Sequence, residues 1–268
     1  MKISILIPVY NEFRTLPLVM ERVRSAPLPP GCSREIIVVD DGSTDGTTEV
    51  LKQYADAGVV IGHYSSSNSG KGMALRVGIE LASGDVIVIQ DGDLEYDPRD
   101  FAAMISAILS GEAQIVYGSR FRGNAHGMVW KNRVANWMLT AAANLLYDAR
   151  ITDEATAYKA FRANLLRDLR LECRGFEFCP EVTAKLRRLG HRIHEIPISY
   201  NARGIADGKK IRARDGFVAL WTLCKWRFLP LRQFRARDHA LHDGADVPES
   251  RTPLAAETRK IFGADERT

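Results

Sequence analysis

Residues 86–93 read Val-Ile-Val-Ile-Gln-Asp-Gly-Asp, an apolar run that leads directly into two closely spaced aspartates. Four consecutive β-branched residues are typical of a strand buried on both faces, as in a parallel sheet. Ligands of open parallel sheets bind beyond the carboxyl ends of the strands, which is where these aspartates stand. The stretch therefore predicts a parallel α/β sheet with a polar site at its carboxyl edge.

Three similar apolar runs precede this stretch, at 3–7, 35–39 and 59–61. Segments with helical periodicity follow the runs. Helices are expected at about 12–25, 45–56, 70–82 and 98–109, each opened by a polar residue or a proline. The alternation predicts an α/β fold in which helices flank a mostly parallel sheet.

The chain after residue 110 alternates less regularly. We expect a strand at 114–117, a glycine-rich loop at 118–127, a mostly apolar helix near 130–147, a helix at 178–189, a strand at 192–199 and a helix at 215–228. Trp130 and Trp137 in the long helix are expected to pack against the sheet. The stretch 236–268 lacks periodicity and is expected to form a flexible tail.

The composition excludes several classes of protein. The 268 residues are 46% hydrophobic and 26% charged, as in ordinary globular domains. A formal net charge of +4 is too small to indicate a nucleic-acid partner. The four cysteines form no CxxC pair that would suggest zinc or a disulfide framework. Because no stretch reads as a signal peptide or a membrane span, we expect a cytoplasmic protein.

Polar residues follow the first two predicted strands. Tyr10 and Glu12 come after the first strand, and Asp41 comes after the second. Each segment alone could be a turn and a helix cap. Taken together they favour a nucleoside site, in which Asp41 accepts a hydrogen bond from the base and Tyr10 and Glu12 flank the base and the ribose.

Lys71 stands between two glycines at the start of a predicted helix. Glycines there leave backbone N–H groups open to an anion, and the lysine adds a positive charge. The segment lacks the spacing of a phosphate-binding P-loop. It indicates either an anion site or an ordinary solvated helix start.

Three carboxylates, Asp91, Asp93 and Glu95, alternate after the fourth strand. Gly92 lets the backbone bend, so that these side chains can approach one hard cation with oxygen ligands. An EF-hand loop would also have a Gly at its sixth position and a Glu at its twelfth, and both are missing here. A divalent metal site is therefore predicted, with an acidic turn as the plain alternative.

Four motifs resemble those of the inverting family 2 glycosyltransferases of GT-A fold. They are Ile-Pro-Val-Tyr-Asn-Glu at 7–12, Val-Val-Asp-Asp-Gly-Ser at 38–43, Asn-Ser-Gly-Lys-Gly at 68–72 and Asp-Gly-Asp at 91–93. Further matching segments lie at 117–121, 152–159, 175–178 and 195–200. Within that family the chain is similar, as far as about residue 228, to the polyprenyl-phosphate hexose synthases such as dolichol-phosphate mannosyltransferase.

The resemblance implies a role for each motif. It places the nucleoside of a UDP- or GDP-hexose against Pro8, Tyr10, Glu12 and Asp41. It places the diphosphate near Lys71 and Asp91, and Mg²⁺ or Mn²⁺ among Asp91, Asp93 and Glu95. Arg120 would face the acceptor phosphate or the sugar, with Asp93 as a second catalytic residue. It also implies one catalytic domain over 1–230, with a nucleotide-sugar half at 1–117 and an acceptor half at 118–230.

The region after residue 200 is rich in basic residues. Between 201 and 237 there are ten Lys and Arg against two Asp. A polyprenyl phosphate, such as the dolichyl or undecaprenyl form, is largely ionised at pH 7 and needs cations rather than a base. Arg203 and Lys209 are the expected acceptor contacts, since their loop resembles the acceptor loop of the family. The aromatic residues of 217–223 beside basic ones favour peripheral contact with a membrane.

Two other functions fit parts of the pattern. A soluble family 2 enzyme acting on a hydroxyl of a small molecule, glycan or peptide would need a general base, for which Asp153 and Glu154 are the first candidates. A non-catalytic nucleotide-sugar binding module would keep the nucleoside segments. It would not need Asp91 and Asp93, whose presence argues against it.

Overall fold

The computed structural model of the protein describes residues 1–202 and 213–230. Within this part of the chain, seven strands form one sheet. They are β1 (Lys2–Val9), β2 (Ser33–Asp40), β3 (Ile61–Tyr64), β4 (Val86–Ile89), β5 (Ile115–His126), β6 (Lys159–Arg162) and β7 (His194–Asn201). The helices are α1 (Leu16–Ser25), α2 (Thr47–Asp56), α3 (Lys71–Leu81), α4 (Phe101–Leu109, after a 3₁₀ turn at Pro98–Asp100), α5 (Trp130–Tyr147), α6 (Ala163–Arg167), α7 (Phe178–Arg188) and α8 (Ala213–Phe228).

The strands lie in the order β3-β2-β1-β4-β6-β5-β7. Strands β1 to β4 are parallel to one another, and β5 is parallel to β7. Only β6 among the described strands runs antiparallel, between β4 and β5. The predicted α/β architecture with a mostly parallel sheet is confirmed. The carboxyl ends of β1, β2 and β4 therefore meet at one edge.

Both faces of the sheet are buried, as the continuous apolar strands predict. Along β1 the side chains alternate between two cores: Ile5 packs with residues of α1, α2 and α4, whereas Leu6 packs with residues of α3, α5, α7 and α8. Helices cover both faces, so the strand ends are where polar groups of the sheet can meet a ligand.

The prediction of a glycine-rich loop at 118–127 is wrong, because this segment continues strand β5 to His126. It pairs with β7, with a shift in register between Ser119 and Asn124. A Cβ at Gly123 would lie 2.1 Å from the carbonyl oxygen of Ile198, so this glycine allows two strands to approach closely. The glycines that suggested a loop instead serve strand packing.

The predicted packing of Trp130 and Trp137 against the sheet is also wrong. Their side chains are 66% and 68% exposed. The buried face of α5 is formed by Leu139, Ala143 and Tyr147 instead. None of the helices in the described ranges is long and apolar enough to cross a membrane.

Glu154, one of the two predicted base candidates, is fully buried. Its Oε1 accepts a hydrogen bond from the Thr183 hydroxyl at 3.1 Å, while Oε2 has no hydrogen-bond partner among the described residues. The Lys159 ammonium donates to the backbone carbonyl of Glu154 at 2.9 Å. Burial raises the pKa of Glu154 to about 7, and the charge of Lys159 offsets only part of that shift.

We predict that Glu154→Gln stabilises the protein at alkaline pH. Because the pKa of Glu154 is higher in the folded state, its contribution to stability is fully present below the unfolded pKa of about 4.5 and is lost as pH rises through about 7. Glutamine stays neutral. The free energy of unfolding of the variant, minus that of wild type, should increase by roughly 3 kcal/mol as the pH is raised from about 4.5 to about 8. Urea titration at a series of pH values measures this difference.

The matched control is Glu80→Gln, which alters an exposed carboxylate on α3. It should leave the pH dependence of stability unchanged. Parallel wild-type and Glu154→Gln curves would show that Glu154 is ionised in the folded protein across this range.

Candidate active site

The site lies at the carboxyl edge of β1, β2 and β4. The Asp41 backbone N–H donates to the Val9 carbonyl at 2.9 Å, which extends the β1–β2 pairing into the loops. Beyond it, the Thr44 N–H donates to the Asn11 side chain at 2.8 Å, and the Glu12 N–H donates to the Thr47 hydroxyl at 2.9 Å. The exits of β1 and β2 are thereby fixed side by side.

This corner collects the four predicted nucleoside residues. Pro8 is in register with Val39 at the end of β1, and Tyr10 and Glu12 follow it. Tyr10 is half-buried and Glu12 is buried. Asp41 follows the end of β2. The structure places these four predicted residues together, and their contact with a nucleoside stays a prediction.

The Asp41 carboxylate holds the loop that leads into α3. Its two oxygens accept from the Ser69 N–H at 2.8 Å and the Gly70 N–H at 2.7 Å. Burial raises the pKa of Asp41, and these two N–H donors partly offset the shift. A Cβ at Gly42, whose φ is +74°, would lie 2.6 Å from the Ser67 backbone, so the two loops touch. Asp41 thus positions the first residue of α3.

That first residue, Lys71, forms an ion pair with Asp91 at the end of β4. The two side chains are 24% and 16% exposed, so the pair is accessible from solvent. Burial alone would lower the pKa of Lys71, but the Asp91 carboxylate more than offsets it and the pKa is raised. A cation and a carboxylate therefore stand together where the sequence predicts a diphosphate.

Asp93 and Glu95 are held by contacts of their own. The Oδ1 of Asp93 accepts from the Glu95 N–H at 3.0 Å, and the Glu95 carboxylate accepts from the Tyr200 hydroxyl at 2.9 Å. Within residues 1–202 and 213–230, no three His, Cys, Asp or Glu side chains are gathered as a ready metal cluster. Asp91 and Asp93 still offer the carboxylate oxygens that Mg²⁺ and Mn²⁺ prefer, so the donor set fits a divalent cation in its chemistry.

Arg120 and Asp153 form a buried bidentate pair across the site. The Arg120 Nε and Nη2 donate to the two Asp153 oxygens, each at 2.7 Å, and the Arg120 backbone N–H donates to the same carboxylate at 3.0 Å. Asp153 is fully buried and Arg120 is 7% exposed. These hydrogen bonds fix the orientation of the guanidinium. The role of Asp153 as a base for a hydroxyl acceptor stays a prediction.

Glu195 is a site residue to which the sequence analysis assigned no role. Its carboxylate accepts from the Thr152 N–H at 2.8 Å, the Thr152 hydroxyl at 2.9 Å and the Asp153 N–H at 3.0 Å. It therefore fixes the segment that carries Asp153. The sequence signal that could have identified it was a glutamate among the alternating apolar residues of a predicted strand, at the start of the segment 195–200.

Three tyrosines, also missed from sequence, join the two ends of the site. Tyr96 stacks on Tyr158 with ring centroids 4.6 Å apart and meets Tyr200 edge-on at 5.1 Å. The Arg120 guanidinium lies 5.1 Å from the centre of the Tyr200 ring. Because the Tyr200 hydroxyl also binds Glu95, one side chain links Arg120 to the acidic loop after β4. Arg203 and Lys209, like the rest of the predicted acceptor loop beyond 202 and the tail at 236–268, lie outside the described residues.

Two curated relatives are similar over most of the chain. The undecaprenyl-phosphate mannosyltransferase of Micrococcus luteus is 30% identical over 219 residues, covering 78% of this chain and 87% of the relative. The polyprenol monophosphomannose synthase of Mycolicibacterium smegmatis is 29% identical over 232 residues, covering 81% and 85%.

A solved structure supports the fold. Glucosyl-3-phosphoglycerate synthase from Mycobacterium tuberculosis, in complex with Mn²⁺, uridine diphosphate and phosphoglyceric acid, superposes with a TM-score of 0.62 at 23% identity. The match covers 85% of this chain and 79% of that one. The seven-stranded sheet and its helices are thus those of the GT-A fold.

The sequence profile of glycosyl transferase family 2 matches residues 4–170. This range contains the β1, β2 and β4 exits, Lys71, and the Arg120–Asp153 pair, so it includes most of the site described above. The order of motifs, the fold and the relatives all agree with this match. The chain belongs to glycosyl transferase family 2, and the protein is a glycosyltransferase.

Proposed function

We propose that the protein transfers a hexose from a UDP- or GDP-sugar to a polyprenyl phosphate at the cytoplasmic face of a membrane, with inversion at the sugar. The observation that carries this proposal is the buried Arg120 guanidinium, which Asp153 fixes in a site that also contains the Lys71–Asp91 pair. The curated relatives, whose names are those of prenyl-phosphate sugar transferases, support the same acceptor class.

The donor would occupy the corner between β1, β2 and β4. Tyr10, Glu12 and Asp41 would contact the nucleoside, and Lys71 at the start of α3 would face the diphosphate. A helix N-terminus with a lysine favours an anion there. The Asp91 carboxylate that now pairs with Lys71 would then be available to a cation.

Asp91 and Asp93 would hold Mg²⁺ or Mn²⁺ beside the diphosphate. Such an ion would neutralise the negative charge that develops on the leaving nucleoside diphosphate. Glu95 is less suited to this role than the two aspartates, since its carboxylate is bound by the Tyr200 hydroxyl. The same contact gives Glu95 a part in orienting Tyr200 against Arg120.

The acceptor would approach Arg120. A phosphate monoester has a second pKa near 6, so at pH 7 it is largely a dianion and attacks without a general base. It needs a cation held at a fixed position. Asp153 takes two of the five guanidinium N–H donors, which leaves others for a phosphate oxygen and fixes their direction. Glu195 in turn fixes Asp153.

The first experiment measures nucleoside diphosphate release from a panel of UDP- and GDP-sugars. We expect one donor to turn over with Mg²⁺ or Mn²⁺, and release to rise when a short polyprenyl phosphate is added. The corresponding polyprenol, which lacks the phosphate, is the control and should give no stimulation. Equal turnover with the polyprenol or with other hydroxyl acceptors would favour the soluble, hydroxyl-directed reaction instead.

Asp93→Asn should reduce transfer by roughly 100-fold or more, because a neutral amide is a poor ligand for a divalent cation and leaves the diphosphate charge unbalanced. Metal-dependent binding of the nucleoside diphosphate, followed by calorimetry, should weaken in parallel. Asp85→Asn, at the opposite end of strand β4, is the control and should retain activity. Wild-type turnover by Asp93→Asn in the presence of a chelator would refute the metal assignment.

Arg120→Lys should raise the KM for the acceptor phosphate by roughly ten- to a hundredfold, since lysine keeps the charge but cannot reproduce the bidentate geometry. The affinity for the donor should change little. Arg24→Lys, at an exposed position in the last turn of α1, is the control and should leave both values unchanged. An equal loss of donor and acceptor affinity, with the thermal unfolding temperature preserved, would place Arg120 at the donor.

A further inference from the structure

Helix α5 is apolar on the face that it turns to solvent. The exposed side chains follow one another at intervals of four, three, one and seven residues, which places all five on one side of the helix. They are Trp130, Val134, Trp137, Met138 and Leu145, the last of which is 85% exposed. Since the opposite face packs into the core through Leu139 and Ala143, α5 is apolar on both sides.

Helix α8 repeats the same pattern. Phe217, Trp221 and Phe228 are exposed, with Phe228 84% exposed, and the intervals of four and seven residues put them on one face. Leu223 and Trp226 on the other face are buried. Helix α8 therefore exposes large aromatic side chains to solvent on one face, although its other face already packs in the apolar core.

The two helices are neighbours in the fold. They pack on each other, and the Tyr147 hydroxyl at the end of α5 donates to the Leu223 carbonyl of α8. Soluble proteins rarely expose large contiguous apolar patches without a binding role. We call the exposed apolar residues of α5 and α8 named above the aromatic stripes.

Basic residues border the aromatic stripes. Helices α5 and α8 carry five of them against one acidic residue, Asp215, which gives a net charge of five minus one, or +4. They are Lys131, Arg133, Arg214, Lys225 and Arg227. Tryptophan prefers the boundary between apolar and aqueous phases, and Lys and Arg there attract anionic headgroups.

We propose that the aromatic stripes dock the protein on the headgroup region of a bilayer that contains anionic phospholipids. This inference deepens the proposed function and rests on it, because a polyprenyl phosphate is presented in a membrane. The combination of tryptophans with flanking cations fits a charged lipid surface better than a second copy of the chain, whose own stripes would bring the same positive charge.

The positions of the tryptophans make the docking measurable. Three of the four, Trp130, Trp137 and Trp221, lie on the stripes, and the fourth, Trp226, is buried. The full-length protein is titrated with vesicles of phosphatidylcholine, with or without phosphatidylglycerol, in which part of the lipid carries bromine on its acyl chains. We expect quenching and a blue shift of the fluorescence with the anionic vesicles, and much less of both with the neutral ones.

The test variant is Trp137→Glu/Trp221→Glu, which puts a charge on each stripe. Its partitioning onto anionic vesicles in a sedimentation assay should fall by roughly tenfold or more, since each buried aromatic side chain contributes about that factor. The matched control is Leu18→Glu/Ile61→Glu, with the same change of charge at exposed apolar positions of α1 and β3. It should partition like wild type. If the test variant unfolds, Trp130→Ser/Phe217→Ser replaces it.

Measurements of turnover, vesicle binding and oligomeric state distinguish this inference from the proposed function. Turnover of a short, water-soluble polyprenyl phosphate without vesicles should be equal in wild type and test variant. Equal vesicle binding by the two would overturn the docking surface, as would a wild type that ignores anionic vesicles. So would a dimer, seen by light scattering, that the variant dissociates without a change in vesicle binding. Vesicle binding by a protein that never uses a polyprenyl phosphate would overturn the proposed function alone.

Discussion

The ion pair between Arg120 and Asp153 is the contact on which the β5 side of the site depends. It joins strand β5 to the segment that precedes β6, the antiparallel strand between β4 and β5. Removing either partner would leave an uncompensated buried charge, at a cost of about 3–5 kcal/mol. The pair therefore holds two parts of the chain together and gives the guanidinium one direction.

The neighbouring contacts support that pair from both sides. Glu195 on β7 holds the backbone that carries Asp153, and the Tyr200 ring lies against the guanidinium. Through its hydroxyl, Tyr200 also binds Glu95 in the acidic loop after β4. Tyr200 therefore connects that loop to Arg120 through direct side-chain contacts.

The corner between β1, β2 and α3 depends on a smaller set of contacts. Asp41 accepts two backbone N–H groups at the entry to α3, and this brings Lys71 to Asp91. Removal of the carboxylate would leave those two donors unpaired. Asp41 therefore contributes structure to the corner as well as offering a polar group to a ligand. The sequence motif gives no indication of this second role, because Ser69 and Gly70 are far from Asp41 along the chain.

The sequence by itself determined the alternation of strands and helices, the mostly parallel sheet, the family and the position of Asp41, Asp91 and Asp93 at strand ends. These features follow from local periodicity and from motifs with fixed spacing. Tertiary structure decided the rest. The extension of β5 through Gly118 and Gly123 depends on the approach of β7, and the Arg120–Asp153–Glu195 chain joins residues more than thirty positions apart. The exposure of Trp130 and Trp137 likewise depends on how α5 is rotated against its neighbours. An apolar periodicity shows that a helix has an apolar face, but only the packing of the whole chain fixes which apolar face is buried and which is left to a partner.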